Sequence, residues 1–245
     1  MRPHIKIHKT IEGALLQTES NDRCVVISTL AEAELLVQAT TGIKDILYAV
    51  PIVSRDKLDR IVRLMIGHDC LIHLEVDNLE ALHILSQYAA AAASILSYNG
   101  NNEDNSDMQR VFPLSVFVNV NSGGNREGCD VQSSEAIELV QALVKDENLK
   151  FAGLYTHGGH SYGVTDEAEK IKIAEVEASS VHHFAHRLLH EFGIEYPVVS
   201  LGSTPTCSLL LSWDHLRQKY PLVNEIHPGN YIFYDYITDG QLYDE

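Results

Sequence analysis

The feature that most constrains the fold is a rhythm of short apolar runs alternating with longer stretches of helical spacing. Residues 25–29, 45–50, 70–76, 114–120, 151–156 and 197–201 read as strands, with 231–234 as the last. Helical stretches fall at 10–17, 30–37, 56–65, 78–93, 133–144 and 166–192, and Ser28 or Thr29 is placed to cap the second. Strands separated by helices imply a parallel α/β architecture. With residues 1–9 read as one more strand, and no dinucleotide-type glycine fingerprint after an early strand, the expectation is a (β/α)8 TIM-type barrel.

That first stretch alternates Arg2, His4, Lys6 and His8 with Pro3, Ile5 and Ile7. On a strand the two sets face opposite sides. One reading is a half-buried strand whose polar face meets water. The other gives Lys6 a lowered pKa, because desolvation and neighbouring cations both favour its free amine, which can then attack a carbonyl. Lys9 is out of phase and points away.

Length and charge narrow the field. A chain of 245 residues, 45% hydrophobic and 21% charged, suits one barrel domain over residues 1–245. A net charge of −16 excludes non-specific nucleic-acid binding, which depends on Lys and Arg neutralising phosphates. The sequence shows no apolar run near membrane-spanning length and no signal-peptide pattern at its start. Cys24, Cys70, Cys129 and Cys207 are widely spaced, as in a reduced cytoplasmic protein. Residues 98–109 are polar and acidic and are expected to form a mobile surface loop.

Four stretches carry candidate chemistry. Residues 119–128 follow a strand and contain Arg126, read either as a solvated arginine on a glycine-rich turn or as a site residue at a barrel mouth. Residues 153–162 hold Tyr155, His157, His160 and Tyr162. Tyr155 and His157 share a face of one strand. They are core residues, a metal site lacking a third ligand at motif spacing, or a pocket wall. Leu201-Gly202-Ser203-Thr204-Pro205-Thr206 and His227-Pro228-Gly229-Asn230-Tyr231 are turns whose N–H groups can cradle an anion, either at the phosphate of a ligand or as ordinary loops. His182, His186 and His190 recur on one helix, as a solvated face or a metal stripe.

Arg2-Pro3-His4-Ile5-Lys6-Ile7-His8-Lys9-Thr10 resembles the R-P-H-x-K-T-H-K-T signature of the D-serine dehydratase and D-threonine aldolase family, pyridoxal-phosphate enzymes of the alanine-racemase fold type. It departs from it at Ile7. The resemblance implies that Lys6 holds the cofactor covalently and is the catalytic residue. Arg126 and Gly128 match a K-x-D-x-G-x-x-R-x-G pattern in which Asn119 and Asn121 replace Lys and Asp. Arg126 then lies near the cofactor's phenolic oxygen. His4, Tyr155, His157 and Tyr162 belong to the cofactor pocket, and Gly202, Ser203, Thr204, Gly229 and Asn230 to the phosphate.

The implied function is a lyase acting on a D-hydroxy-amino acid, foremost the dehydration of D-serine to pyruvate and ammonia. D-threonine aldolase and a non-catalytic pyridoxal-phosphate-binding protein are the alternatives. Resembled full-length enzymes add an N-terminal strand and helix, and a C-terminal β-domain that supplies His and Cys ligands to zinc. This chain therefore reads as about the central two-thirds of such an enzyme, an incomplete barrel with open edges, little turnover by itself and no metal site of its own. The full-length protein is expected to be a homodimer.

Overall fold

The computed structural model describes residues 1–18, 23–39, 41–99, 111–209 and 213–233. Seven strands form one parallel sheet in sequence order: β1 (Cys24–Ile27), β2 (Asp45–Tyr48), β3 (Leu71–Val76), β4 (Leu114–Asn119), β5 (Leu149–Thr156), β6 (Val198–Leu201) and β7 (Glu225–Ile226). Helices α1 (Ile11–Gln17), α2 (Leu30–Gln38), α3 (Arg55–His68), α4 (Leu79–Asn99), α5 (Ser134–Lys145), α6 (Glu167–Phe192), α7 (Thr204–Leu209) and α8 (Trp213–Lys219) lie between them. Strands enclosed on both faces are apolar along their length, as in the uniformly buried β1 and β4. The helices start where the capping residues say they should: the Thr29 hydroxyl accepts from Glu32 N, and the Asp166 carboxylate from Glu169 N.

The N-terminal segment differs from its reading as a strand over 1–9. Residues 2–5 bond both edges of the sheet. On one side Val26 N donates to Pro3 O (2.9 Å) and Ile5 N to Val26 O (3.1 Å); on the other, Arg2 N donates to Ile226 O (2.9 Å) and His4 N to Pro228 O (3.1 Å). Among the described residues the sheet has seven strands rather than eight, but its two edges are covered by this segment and not left open. Arg2 and His4 are buried, so the basic face does not meet water. The extended run then ends, because His8 N and Lys9 N both turn back to Ile5 O.

Other expectations need correction. The last strand lies at Glu225–Ile226, not at 231–234, and Asn230–Ile232 is a 3-10 turn. Directly after β7, His227 N still bonds Leu201 O of β6 (3.0 Å), while Pro228, which has no N–H to donate, accepts from His4 N of the N-terminal segment. Contrary to the sequence reading, α4 contains one stretch, Leu79–Leu96, long and apolar enough by length and composition to cross a membrane. Its Leu82, Leu85 and Ala89 are packed into the barrel's hydrophobic core, as expected of a helix in the outer ring. Residues 98–99 of the expected loop end α4, and 100–109 fall outside the described residues. His186 and His190 are exposed on α6, which favours the solvated-face reading of that stripe.

Candidate active site

Four aromatic side chains meet at the C-terminal mouth of the sheet. Tyr155, near the end of β5, stacks on His227 at 4.1 Å between ring centroids and 15° between planes. His157, two residues on, also lies parallel to His227, at 5.6 Å and 22°. His4 packs against both, at 5.2 Å from His157 and 5.6 Å from His227, and its Nε2 lies 3.1 Å from Tyr155 Oη. His4 reaches this position because Gly229 lets the two backbones touch: a Cβ at 229 would stand 2.5 Å from His4 Cβ.

The three imidazoles are neutral. Burial pulls all of them below the usual histidine range, His157 to about 3, and the nearby cations Lys6 and Arg126 add to the effect on His4 and His157. Their ligand atoms lie within 4.8 Å of one another. The sequence reading paired His157 with His160, but the structure groups His157 instead with two imidazoles from distant chain, His4 and His227. His227 Nδ1 is spent on Ser200 Oγ at 2.7 Å, whereas His4 Nδ1, His157 Nδ1 and His227 Nε2 have no partner among the described residues.

Lys6 borders this cluster. Partial burial of its ammonium and the guanidinium of Arg126 lower its pKa. The cationic neighbour is therefore Arg126, not Arg2 or His8 as the alternation implied. Arg2 lies at the opposite end of the barrel, bonded to Asp45 and Glu225, and His8 bonds Thr10 and Gln17. Arg126 is largely exposed, pairs with Glu127 and lines a cleft of about 180 Å³ with Asn119, Asn121, His157 and His160.

The two glycine-bearing turns meet behind the cluster. Thr204 Oγ1 accepts from Gly229 N (3.2 Å) and Asn230 N (2.7 Å), and Tyr162 Oη accepts from Thr204 N (3.3 Å). Ser203 Oγ sits 2.9 Å from Ser161 Oγ. Gly202 adopts φ +132, a region that side chains disfavour, and a Cβ there would lie 2.4 Å from Cys207 Sγ. All the sequence-predicted site residues thus gather at one mouth, and among them Gly202 N is committed to Thr156 O and Glu177.

Three buried residues escaped the sequence reading. His227 sits inside the quoted H-P-G-N turn, where attention fell on backbone N–H groups. Glu75 on β3 accepts from Asn119 Nδ2 (3.1 Å), and burial raises its pKa well above the carboxylate range. Glu177 lies on the inward stripe of α6 beside the buried Ala174, Ala178 and Val181. A charged residue at that position in the helical period was the signal available.

A parallel barrel with a lysine of lowered pKa, neutral imidazoles and two glycine-bearing turns at its C-terminal mouth has the layout in which barrels of this kind place a small-ligand site. The chain belongs to the family described as "Alanine racemase, N-terminal domain", which matches residues 2–236. It is 35% identical over 243 residues to D-serine dehydratase of Dictyostelium discoideum, covering 96% of this chain and 56% of that protein. The structure of D-threo-3-hydroxyaspartate dehydratase from Delftia sp. HT23 superposes with a TM-score of 0.75 at 26% identity, over 99% of this chain and 56% of that one. D-threonine aldolase from Filomicrobium marinum superposes with a TM-score of 0.76 at 25% identity, over 97% and 56%. The chain spans about half the length of the relatives it matches, less than the two-thirds expected from its motifs.

Proposed function

We propose that this chain is the cofactor-binding barrel of a pyridoxal-phosphate-dependent lyase acting on a D-hydroxy-amino acid, with D-serine, converted to pyruvate and ammonia, as the preferred substrate. The observation that carries this reading is the juxtaposition of Lys6, Arg126 and the His4–His157–His227 wall with the converging N–H groups of Thr204, Gly229 and Asn230. The residues fit such a cofactor: the orphaned imidazole nitrogens suit a heteroaromatic ring, and hydroxyls hold N–H groups that suit a phosphate.

When bound, pyridoxal phosphate supplies an electron sink for negative charge at the amino acid's α-carbon. The chain supplies the rest. Lys6 Nζ, whose lowered pKa favours the free amine, would hold the cofactor and would serve as the base for the α-proton. Arg126 orients negative oxygen at the open side of the cleft. Neutral His157 and Tyr155 form an uncharged aromatic wall that excludes water. The zinc implied by the resemblance draws its His and Cys ligands from the C-terminal domain, and the proposal gives it none within this chain. A cytoplasmic setting and a homodimeric full-length protein belong to the same proposal; four free cysteines support the first.

Incubating the full-length protein with D-serine and with D-threonine separates the readings. Pyruvate from D-serine supports dehydration, and glycine from D-threonine supports the aldolase. A lysine-bound visible band with neither product supports a non-catalytic binding protein.

A further inference from the structure

Glu177 has no role in the function proposed above, and its surroundings are unusual. It is fully buried in the middle of α6 and forms no ion pair among the described residues. Its Oε1 accepts from Gly158 N and from Gly202 N (3.2 Å). Its Oε2 has no partner among the described residues. One carboxyl group thus ties the turn after β5, which carries His157, to the turn after β6, which carries Ser203 and Thr204.

We propose that Glu177 is a positioning residue that fixes these two turns to each other and takes up a proton when an anion is seated on the Gly202–Thr204 turn. The inference rests on that turn being the phosphate end of the site. A dianion placed there opposes a second negative charge across one turn of backbone, so its binding favours the protonated carboxyl. The proton is available near neutrality, since burial has already raised Glu177 to about 7. The titratable groups facing it do not compete. From β5 come Tyr155, whose phenol burial raises, and after it His157, held neutral. From α7 comes the Cys207 thiol, also raised by burial.

The test uses sulfate, a dianion with no proton to exchange near neutrality. Titration calorimetry at pH 7.5, in buffers of different ionisation enthalpy, counts protons taken up per sulfate. The wild-type chain should take up a fraction of a proton. Its sulfate affinity should fall by up to about tenfold per pH unit above 7. Glu177→Gln keeps the acceptor for both glycine N–H groups and should bind sulfate without that uptake, its remaining pH dependence being that of Lys6. Equal uptake in both proteins, or sulfate binding without uptake in the wild type, overturns the role of Glu177 and leaves the cradle intact. Absence of sulfate binding in the wild type removes the cradle and the inference together. The wild-type measurement stands even if the variant does not fold.

Discussion

The two ends of the barrel both bury histidine, and they treat it in opposite ways. At the N-terminal end, His73 is held between Asp45 Oδ1 (3.0 Å) and Ser115 Oγ (2.7 Å), and Arg2 joins Asp45 to Glu225. Arg2, His73, Asp45 and Glu225 thus each have a bonded partner there. Burial would raise the Asp45 carboxyl, but the bonds from His73 and Arg2 outweigh it and hold the group far below the usual range. At the C-terminal mouth, His4, His157 and His227 meet one another, with Lys6 and Arg126 beside His4 and His157, and each keeps a nitrogen without a partner among the described residues. A compensated network stabilises a fold. An uncompensated one is tolerated where a ligand completes it.

The largest expected effect lies at the mouth. Lys6→Ala should abolish the visible absorption band that pyridoxal phosphate acquires on binding, and Lys9→Ala should retain it; a band that persists in the Lys6 variant would remove the assignment. Next comes the opposite end. Arg2→Met leaves two carboxylates without their shared cation and should cost about 3 kcal/mol in urea unfolding, with the visible band of the folded fraction unchanged.

A third experiment contrasts the ends by pH. His157 has a folded pKa depressed to about 3, so its contribution is intact above the unfolded value of about 6.5 and is lost as pH falls toward the folded one. The stability difference between wild type and His157→Gln should therefore shrink by about 2 kcal/mol between pH 6.5 and 5. Asp45, also depressed, loses its contribution only below about pH 4, so its Asp45→Asn difference should stay flat across that window. A slope in the Asp45 pair would break the contrast. The smallest effect is Gly229→Ala, whose Cβ must displace His4. It should destabilise by about 1–3 kcal/mol and weaken cofactor binding in parallel.

The sequence made much of this legible because the information is local. Apolar runs of strand length, Thr29 and Asp166 as caps, and contiguous turns such as 201–206 announce themselves within a few residues. What stayed hidden depends on distance. The alternation of Arg2, His4 and Lys6 placed them on one face, but opposite ends of a short stave are opposite ends of the barrel, so the cation beside Lys6 is Arg126, a candidate from its own turn, and not Arg2. His227 could not be matched to His157 without knowing that β5 and β7 bracket β6. Glu177 lay hidden in a helix that also carries many solvent-facing charges.

The coverage of both sheet edges by residues 2–5 also sets an order of events. Arg2 bonds a partner 223 positions away, and His4 waits for Pro228. Contacts of such separation form late, after loop closure has been offset by the shorter-range sheet. During synthesis the lysine emerges ahead of all seven strands, yet its surroundings are finished last, when the seventh strand arrives. Ligand capture is thereby tied to completion of the whole ring. Pulse-labelled hydrogen exchange during refolding should find the Arg2 and His4 amides protected no earlier than those of β7.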